Sequence, residues 1–403
     1  MNVTKQMVIV GDPKQLSQID NQEIYNASIT LQEKYKVPEY YHYKENSILQ
    51  SVISLPCNVE TTILREHYRC DSRIIEFCNK KFYENELIVC TKTSENDPLF
   101  ILHTVPGNHA RANPHGTGQY NDREAQEIIN ILRKCNSDSI GIITPFRGQA
   151  DYIKSLLKDE FPYVEVDTIH KYQGRQKKII ILSTVVNDLN YDKDSFITDF
   201  VTNKQLLNVA ISRAIEKLYL VVSDKVYRSN SNTIAQFIDY IKYYCKEEAS
   251  EEGKVTSVFD ILYDGQYKKI KNSPCGKYVD SYAEEIIKRR LDELLKDYPE
   301  YKLVLHYTLK YLVTNFEGFS NEEIRYITNP RTHVDFVIFD KITYKPILCI
   351  EVDGTKYHDY SVRQIKNDKI KDRILEANEI KLLRLKTNHS GEMDKIKDYL
   401  KGV

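Results

Sequence analysis

Three acidic residues near the C-terminus have the types and spacing expected of a site for phosphodiester cleavage. Asp335 lies in the apolar segment HVDFVIFD, and Glu351 and Asp353 follow in CIEVDG. Because residues two apart on a strand share a face, Glu351 and Asp353 point the same way, and an adjacent strand could bring Asp335 beside them. Carboxylate oxygens suit Mg²⁺, which can activate a water and stabilise the leaving oxygen. We therefore predict catalytic and metal-binding roles for these three acids, while helix caps or solvent-facing acids stay the alternative.

The segment around these acids resembles the restriction-endonuclease-like nuclease superfamily, in particular the branch related to very-short-patch repair endonucleases. The resemblance rests on the acids, on the Asp-Gly turn after Glu351, and on the final helix and strand, which contain Asp368, Arg373 and Arg384. It implies a carboxylate from the first helix, matched by Glu284 in SYAEE. It also implies a site histidine, matched by His358 in DGTKYH.

One position departs from this family pattern. The usual motif has a lysine two residues after the second acid, and Asp353 occupies that position here. A lysine from elsewhere, such as Lys356 or Lys369, is one substitute for the missing charge. His358 acting as base or acid is another, because imidazole titrates in the range that such a role needs.

Five further motifs combine groups that suit nucleotides and nucleic-acid phosphates. They are VIVGDPKQL (8–16), LREHYRC (64–70), IGIITPFRGQ (140–149), VDTIHKYQGRQKKIIIL (166–182) and NVAISRA (208–214). Tyr68 offers an aromatic face and Arg69 a guanidinium fork, which suit a base and a phosphate. Thr144, together with backbone amides at a helix N-terminus, would suit a nucleic-acid phosphate.

In this order the five motifs resemble the second motor domain of superfamily-one helicases of the nonsense-decay and replication-nuclease type. The resemblance implies an arginine finger at Arg213 and a γ-phosphate sensor at Gln15. Further residues are expected to bind the nucleotide, namely Gly11, Asp12, Tyr68, Arg69 and Gly174. Others are expected to bind the nucleic acid, namely Thr144, Arg147, Thr168, His170 and Gln173. The motif departs at Gln176, where a glutamate that helps to hold the nucleotide sugar is usual.

The phosphate-binding loop of such a motor, GxxxxGK[ST], is absent from the sequence. The acidic magnesium-binding motif expected before Gly11 is absent too. We therefore expect a first RecA-like domain with both Walker motifs upstream or on another chain, and residues 6–10 as its last strand. ATP with Mg²⁺ is expected only when that domain is present, so the chain by itself is not expected to hydrolyse ATP.

The motifs must be positioned by alternating strands and helices, a pattern typical of parallel α/β architecture. Strands are predicted at 6–10, 99–105, 140–144, 164–167, 178–184 and 217–223. A capping box at Asn121 and Glu124 predicts a helix through Arg133. After a polar, acidic linker the pattern restarts with a helix at 281–295 and strands at 334–339, 346–352 and 380–385. We predict a RecA-like motor domain over 1–245, a linker over 246–272, and a smaller restriction-endonuclease-like domain over 273–403.

Composition sets the remaining bounds. Of the 403 residues, 41% are hydrophobic and 29% charged, as in a soluble protein, and no apolar run could span a bilayer. The formal charge of −1 means that nucleic acid must be bound by a local patch. Eight cysteines without metal-ligand spacing predict reduced thiols and a cytoplasmic location.

We therefore expect a DNA helicase portion coupled to a Mg²⁺-dependent endonuclease, acting in DNA repair or defence, with no membrane partner. Two alternatives remain open. The chain could be a non-catalytic nucleic-acid-binding or assembly subunit, or a fragment of a split helicase gene.

Overall fold

The computed structural model describes residues 6–16, 22–43, 45–107, 110–112, 118–186, 203–223, 232–245, 249–260, 281–353, 362–387 and 389–402. The chain divides into two compact units. The first comprises Met1–Pro106 and Ala112–Gly253, and the second comprises Gly107–Arg111 and Lys254–Val403. A parallel sheet with helices forms the first unit and a smaller mixed sheet with helices the second, so the predicted α/β fold class is confirmed. The domain limits 1–245 and 273–403 stay predictions.

Strands up to Gly253 are β1 (Glu66–His67), β2 (Ile88–Val89), β3 (Leu99–His103), β4 (Ala110–Ala112), β5 (Gln119–Asn121), β6 (Ile140–Thr144), β7 (Glu165–Thr168), β8 (Lys177–Ser183), β9 (Ala214–Val222) and β10 (Ser250–Glu252). The main sheet has the order β10-β3-β9-β8-β6-β7, and every neighbouring pair is parallel. The described helices of this unit are α1 (Gln22–Tyr35), α2 (Ile48–Ile53), α3 (Ser72–Phe82), α4 (Asp122–Lys134), α5 (Arg147–Leu157), α6 (Lys204–Ile211) and α7 (Thr233–Tyr244).

Strand β8 shows why this sheet forms. Its isoleucine run is apolar on both faces, as expected of a strand that helices cover on both sides. Ile179 and Ile181 pack into the core that contains residues of α4 and α5. Ile180 and Leu182 pack into the opposite core with residues of α3, α6 and α7. The alternation of these four side chains is the period-two geometry of a strand.

Two predictions for the first unit are wrong. Residues 6–10 form no strand, and Val8 and Val10 are 90% and 86% exposed. A strand requires a hydrogen-bonded neighbour, and an apolar sequence does not supply one. Conversely, Ser250–Glu252 lies inside the predicted linker but pairs in parallel with β3 at the sheet edge. All three side chains of this strand are exposed, so the pairing depends on the backbone and left no apolar pattern in the sequence.

The second unit contains a four-stranded sheet of order β11-β12-β13-β14. These strands are β11 (Tyr301–Thr308), β12 (His333–Asp340), β13 (Pro346–Asp353) and β14 (Leu382–Lys386). The first three are antiparallel, and β14 runs parallel to β13. Its described helices are α8 (Tyr282–Leu294), α9 (Asn321–Thr328), α10 (Val362–Ala377) and α11 (Glu392–Lys401).

Strand β11 was not predicted. Seven of its eight side chains are partly buried, so burial does not alternate clearly along it. The predicted strands of this unit correspond to β12, β13 and β14, and Ser281 caps α8 as the predicted helix requires. Among the helices that the structure describes, none is long and apolar enough to cross a bilayer.

Candidate functional sites

The Gly11–Gln15 loop is held against the rest of the first unit by side-chain hydrogen bonds. Asp12 Oδ2 accepts from Gln15 Nε2 at 2.8 Å and from the hydroxyl of Tyr83 at 2.6 Å. Asn208 Nδ2 on α6 donates to the carbonyl of Lys14 at 2.9 Å. The sequence motif therefore has a fixed conformation, although the apolar segment before it forms no strand.

Arg213 lies buried at the start of β9, with 4% of its surface exposed. Its guanidinium donates to the carbonyl of Val209 at 3.1 Å, to Ser212 Oγ at 3.1 Å and to Gln15 Oε1 at 3.4 Å. No carboxylate pairs with it among the residues that the structure describes. Burial, and then the charge of Arg69, lower the pKa of Arg213. Among the described residues, the buried charge therefore has no anionic partner.

The segment with Tyr68 and Arg69 lies near Arg213, at the end of the sheet where β9 begins. Cys70 Sγ contacts the carbonyl of Ser212 at 3.5 Å, which places the segment beside the start of β9. Tyr68 is 68% exposed and donates to Glu66, so its ring face is accessible. Lys177 N donates to the Arg213 carbonyl at 3.1 Å, which brings the turn with Gly174 to this end as well. The predicted nucleotide residues therefore gather at the amino-terminal ends of β8 and β9.

Gly174 and Gln176 lie in the exposed turn before β8. Gly174 has a φ of +85°, and a side chain there would meet no atom within 4 Å. Glycine is therefore required by the backbone conformation and leaves open space beside the chain. Gln176 is exposed in the same turn.

Thr144, Arg147, Thr168 and His170 lie at the opposite, carboxyl-terminal ends of β6 and β7 or just after them, whereas Gln173 adjoins Gly174. Thr144 and Thr168 are register partners there. Thr144 is fully buried, and the structure describes no hydrogen-bond partner for its Oγ1. Helix α5 begins beside it at Arg147, without a side-chain cap, and Arg147 bonds Asp167 at 3.0 Å. His170 and Gln173 lie in the turn after β7.

Sequence reasoning missed a buried polar network at the carboxyl-terminal end of β8. Asn121 caps α4 as predicted, accepting from Glu124 N at 3.1 Å. Glu124 does not reach back to the cap. Its carboxylate instead accepts from Val185 N at 2.9 Å and from the hydroxyls of Ser183 and Thr184. The reciprocal half of the predicted capping box is therefore wrong, because β8 offers Glu124 better donors than its own helix start.

In the second unit, four polar residues form one row across the sheet. Glu351 on β13 is the register partner of Arg384 on β14. Extending the β12–β13 ladder by one step places Asp335 across from Glu351, and the β11–β12 register places His306 across from Asp335. Asp335 Oδ2 accepts a hydrogen bond from Val352 N at 2.8 Å, so the Asp335 side chain continues the hydrogen bonding between β12 and β13 beyond the last backbone pair. The predicted convergence of strands β12 and β13 at these acids is thereby observed.

Glu351 is 6% exposed and is neutralised by two cations. Arg384 Nη1 donates to Glu351 Oε2 at 2.8 Å, and the ammonium of Lys371 on α10 contacts Glu351 Oε1. The same guanidinium lies 3.4 Å from Asp353 Oδ1, which confirms that Glu351 and Asp353 share a face. Lys371 was not predicted. The candidate Lys369 is exposed, whereas Lys356 and His358 lie outside the described residues.

Two other residues of the family pattern, Asp368 and Arg373, lie in different surroundings. Asp368 Oδ1 lies 3.6 Å from Arg384 Nη1, close to the row. Arg373 is 63% exposed and pairs with Glu323 on α9 at 2.9 Å. Arg373 therefore supports the packing of α9 and does not face the acids.

The acids of the row influence one another electrostatically. Burial, and then Glu351 and Glu284, raise the pKa of Asp335 to about 6. Burial is also the first cause of the raised pKa of Asp353. No three His, Cys, Asp or Glu side chains in the described part of the chain form a group that could hold a metal ion. The magnesium site at Asp335, Glu351 and Asp353 therefore stays a prediction.

Glu284 on α8 lies within electrostatic range of Asp335. It is 7% exposed and accepts from Ser281 Oγ at 2.8 Å. Its Oε2 lies 3.2 Å from Nε2 of His306. His306 was missed because a lone histidine in an unpredicted strand carries no motif.

Comparisons with known proteins agree with the division of the chain. Residues 44–225 match a family described as an AAA domain. The RNA helicase Mov10l1 of Mus musculus is 27% identical over 237 residues, covering 53% of this chain and 20% of its own. An uncharacterized ATP-dependent helicase of Methanocaldococcus jannaschii is 25% identical over 274 residues, covering 62% and 36%. The first unit contains a superfamily-one helicase domain.

A third relative of this helicase domain is the DNA polymerase alpha-associated DNA helicase A of Saccharomyces cerevisiae. It is 26% identical over 279 residues, covering 62% of this chain and 38% of its own. The chain thus spans well under half the length of these relatives. Outside the helicase domain, residues 277–403 match the family described as Protein of unknown function (DUF2726).

Solved helicase structures also resemble the chain. The C-terminal domain of a possible DNA helicase from Lactobacillus plantarum WCFS1 has 16% identity and a TM-score of 0.27, covering 46% of this chain and 99% of that one. Arterivirus nonstructural protein 10, a helicase in complex with DNA, has 15% identity and a TM-score of 0.20, covering 40% and 27%.

Proposed function

We propose that the first unit is the second motor domain of an ATP-driven nucleic-acid helicase and completes an ATP site with a first motor domain that carries the Walker motifs. Arg213 carries this proposal. A buried guanidinium without a carboxylate partner, within electrostatic range of Arg69, is stabilised by an anion. The polyphosphate of Mg²⁺-ATP, held by the first motor domain upstream or on another chain, would supply that charge.

The other end of the sheet supports nucleic-acid binding by the same unit. The unpartnered hydroxyl of Thr144 and the uncapped start of α5 both offer hydrogen-bond donors. A phosphate of a single strand would accept from them, and such contacts fix the position of the strand without reading its sequence. DNA is the proposed nucleic acid.

ATP hydrolysis tests the motor proposal. The purified chain is expected to show no hydrolysis with single-stranded DNA, and to support hydrolysis when a Walker-containing first domain is supplied. Arg213→Ala should then lower kcat by about 10³-fold or more, as for other arginine fingers. Arg175→Ala is the matched control, since this exposed neighbour pairs with Glu165 at 4.0 Å. Robust hydrolysis by the chain alone would contradict the proposal.

We further propose that the second unit cleaves phosphodiester bonds of nucleic acid. The row His306–Asp335–Glu351–Arg384 supports this, because acids, a histidine and a cation at neighbouring positions of four strands suit proton transfer and phosphate binding. Lys371 is the proposed substitute for the missing motif lysine. DNA repair or defence, in the cytoplasm, is the proposed setting.

Mg²⁺ is part of this second proposal. The donor chemistry fits the ion, since Asp335 is a buried carboxylate that two neighbouring carboxylates repel. Asp335, Glu351 and Asp353 would hold the ion. Glu351 would have to give up its contact with Lys371 or Arg384 in order to bind it. A bound ion would activate a water and stabilise the leaving oxygen.

Cleavage assays test this unit. Wild type, Glu351→Gln and Asp335→Asn are incubated with single- and double-stranded DNA and RNA, with Mg²⁺ or with EDTA, and thermal unfolding checks their folding. Metal-dependent cleavage by wild type that both variants lose is expected, and Glu322→Gln, an exposed acid on α9, should cleave normally. No cleavage, or equal cleavage by all proteins, would favour a non-catalytic binding or assembly subunit.

A further inference from the structure

His306 is the member of the row that no sequence motif predicted. We propose that His306 is the general acid of phosphodiester cleavage and that Glu284 is its positioning residue. This inference rests on the proposed nuclease function of the second unit and names the group that donates a proton to the leaving oxygen.

The first observation is the backbone conformation of His306. Its φ is +47°, in the left-handed region that non-glycine residues rarely adopt. The ladder between β11 and β12 has paired residues on both sides of His306, but His306 and Asp335 themselves do not pair. Such a conformation costs of order 1–3 kcal/mol and persists only where the surrounding structure maintains it. Strain at this one position of the strand points to a functional constraint on the ring.

The second observation is the contact with Glu284. This carboxylate is nearly buried, and Ser281 Oγ orients it at 2.8 Å while Oε2 lies 3.2 Å from His306 Nε2. A catalytic imidazole is commonly oriented by a carboxylate on one nitrogen, which leaves the other nitrogen for the reacting group. Helix α8 and strand β11 thus bring together the imidazole of His306 and the carboxylate of Glu284 that orients it.

The third observation is the surroundings of the ring. The ring of His333 lies against that of His306, with centroids 4.8 Å apart and planes tilted by 30°. Asp335 is across from His306 in the register of β11 and β12. The titratable groups facing His306 are therefore Glu284 from α8 and His333 and Asp335 from β12. The ring is 27% exposed, so a substrate can reach it.

The proposed step balances without a further reagent. A water oxygen forms a new bond to phosphorus and releases its proton to solvent. The bond between phosphorus and the bridging oxygen breaks, and that oxygen takes the proton from the His306 imidazolium. His306 then regains a proton from solvent. General acids of this kind contribute about 10²–10⁴-fold to the rate.

The test uses substrates whose leaving group does or does not need a proton. The full chain and its His306→Asn variant are assayed on DNA with a normal linkage and on DNA with sulfur as the bridging atom, in both the 3′ and the 5′ position. Asparagine tolerates the left-handed backbone, so the variant should fold. A thiol leaves readily as the thiolate, since its pKa is near 8.5.

We expect His306→Asn to slow cleavage of the normal linkage by about 10²-fold or more and to cleave one sulfur linkage at nearly the wild-type rate. Glu284→Gln should show a weaker version of the same pattern. His333→Gln, which alters the neighbouring ring, should slow both linkages equally or neither.

The outcomes separate the two proposals. If wild type cleaves and His306→Asn cleaves the normal linkage as fast, or loses equal activity on all linkages, the role of His306 is overturned and the nuclease function stands. If wild type cleaves none of these substrates, the nuclease function fails and the role of His306 fails with it.

Discussion

The ammonium of Lys371 on α10 contacts Glu351 Oε1 on β13 and donates to the carbonyl of His333 on β12 at 3.0 Å. One lysine therefore joins a helix to two strands at the acids of the second unit. The side chains of Lys371 and Glu351 are only 12% and 8% exposed, so neither charge is well solvated without the other.

Replacement of Lys371 is expected to affect both stability and cleavage. Lys371→Met should lower the free energy of unfolding by about 2 kcal/mol, because Glu351 then stays buried with Arg384 as its remaining partner. The double variant Glu351→Gln, Lys371→Met should recover at least half of that loss. Cleavage by Lys371→Met should fall by about 10²-fold, as when one donor to a transition-state charge is removed.

Lys369→Met is the matched control for urea unfolding and cleavage assays, since Lys369 lies on the same helix but is exposed. It should change the free energy of unfolding by less than about 0.5 kcal/mol and leave cleavage unchanged. Loss of cleavage in Lys369→Met but not in Lys371→Met would show that Lys369, and not Lys371, performs the role of the missing motif lysine.

Thr144→Val should change stability and nucleic-acid binding in opposite directions. The substitution keeps the shape but removes a buried hydroxyl for which the structure describes no partner. The free energy of unfolding should therefore stay equal or rise by about 1 kcal/mol. Affinity for single-stranded DNA, measured by fluorescence anisotropy, should fall. A variant that binds DNA as tightly as wild type would remove Thr144 from the nucleic-acid site.

Arg147→Ala provides a second measurement at the same site. If Arg147 contacts a phosphate, the slope of log affinity against log salt should decrease by about one unit. Arg133→Ala is the matched control, because Arg133 is an exposed arginine paired with Glu160 on the surface. Equal salt dependence in both variants would argue against a phosphate contact at Arg147.

Glu124 should make the first unit less stable as the pH rises. Burial is the main cause that raises its pKa from 4.5 to about 7. Between these values the folded state binds more protons than the unfolded state, so the free energy of unfolding falls as pH increases. The stabilising contribution of Glu124 to the free energy of unfolding is fully present below about pH 4.5, decreases as the pH rises and is lost above about pH 7. The total change is about 3 kcal/mol.

Glu124→Gln removes this titration and should flatten the pH dependence of urea unfolding relative to wild type. Buried Glu392 in the second unit also has a pKa raised to about 7, so Glu392→Gln serves as the comparison. A wild-type curve and a Glu124→Gln curve that run parallel from pH 5 to pH 8 would show that Glu124 does not titrate in this range.

Predictions from the sequence succeeded where one segment determines the result. The isoleucines of β8, the cap at Asn121 and the shared face of Glu351 and Asp353 depend on local periodicity or on neighbours a few residues away. The strand predicted at 140–144 is likewise observed, as β6.

Predictions failed where a partner from a distant segment was needed. Residues 6–10 are apolar but have no adjacent strand, and Ser250–Glu252 is a strand because β3 lies beside it. Glu124 bonds the end of β8 and not its own helix start. In each case the local pattern was compatible with more than one arrangement.

The sequence by itself determined the parallel α/β architecture, the helicase motifs and the acidic positions, because backbone periodicity and side-chain type are local properties. Only the tertiary structure decided that Lys371, and not Lys369, reaches Glu351, and that Glu284 meets His306. Those contacts join residues 20 and 22 positions apart on different elements. They depend on how helices pack on the sheet, and short-range patterns carry no information about that packing.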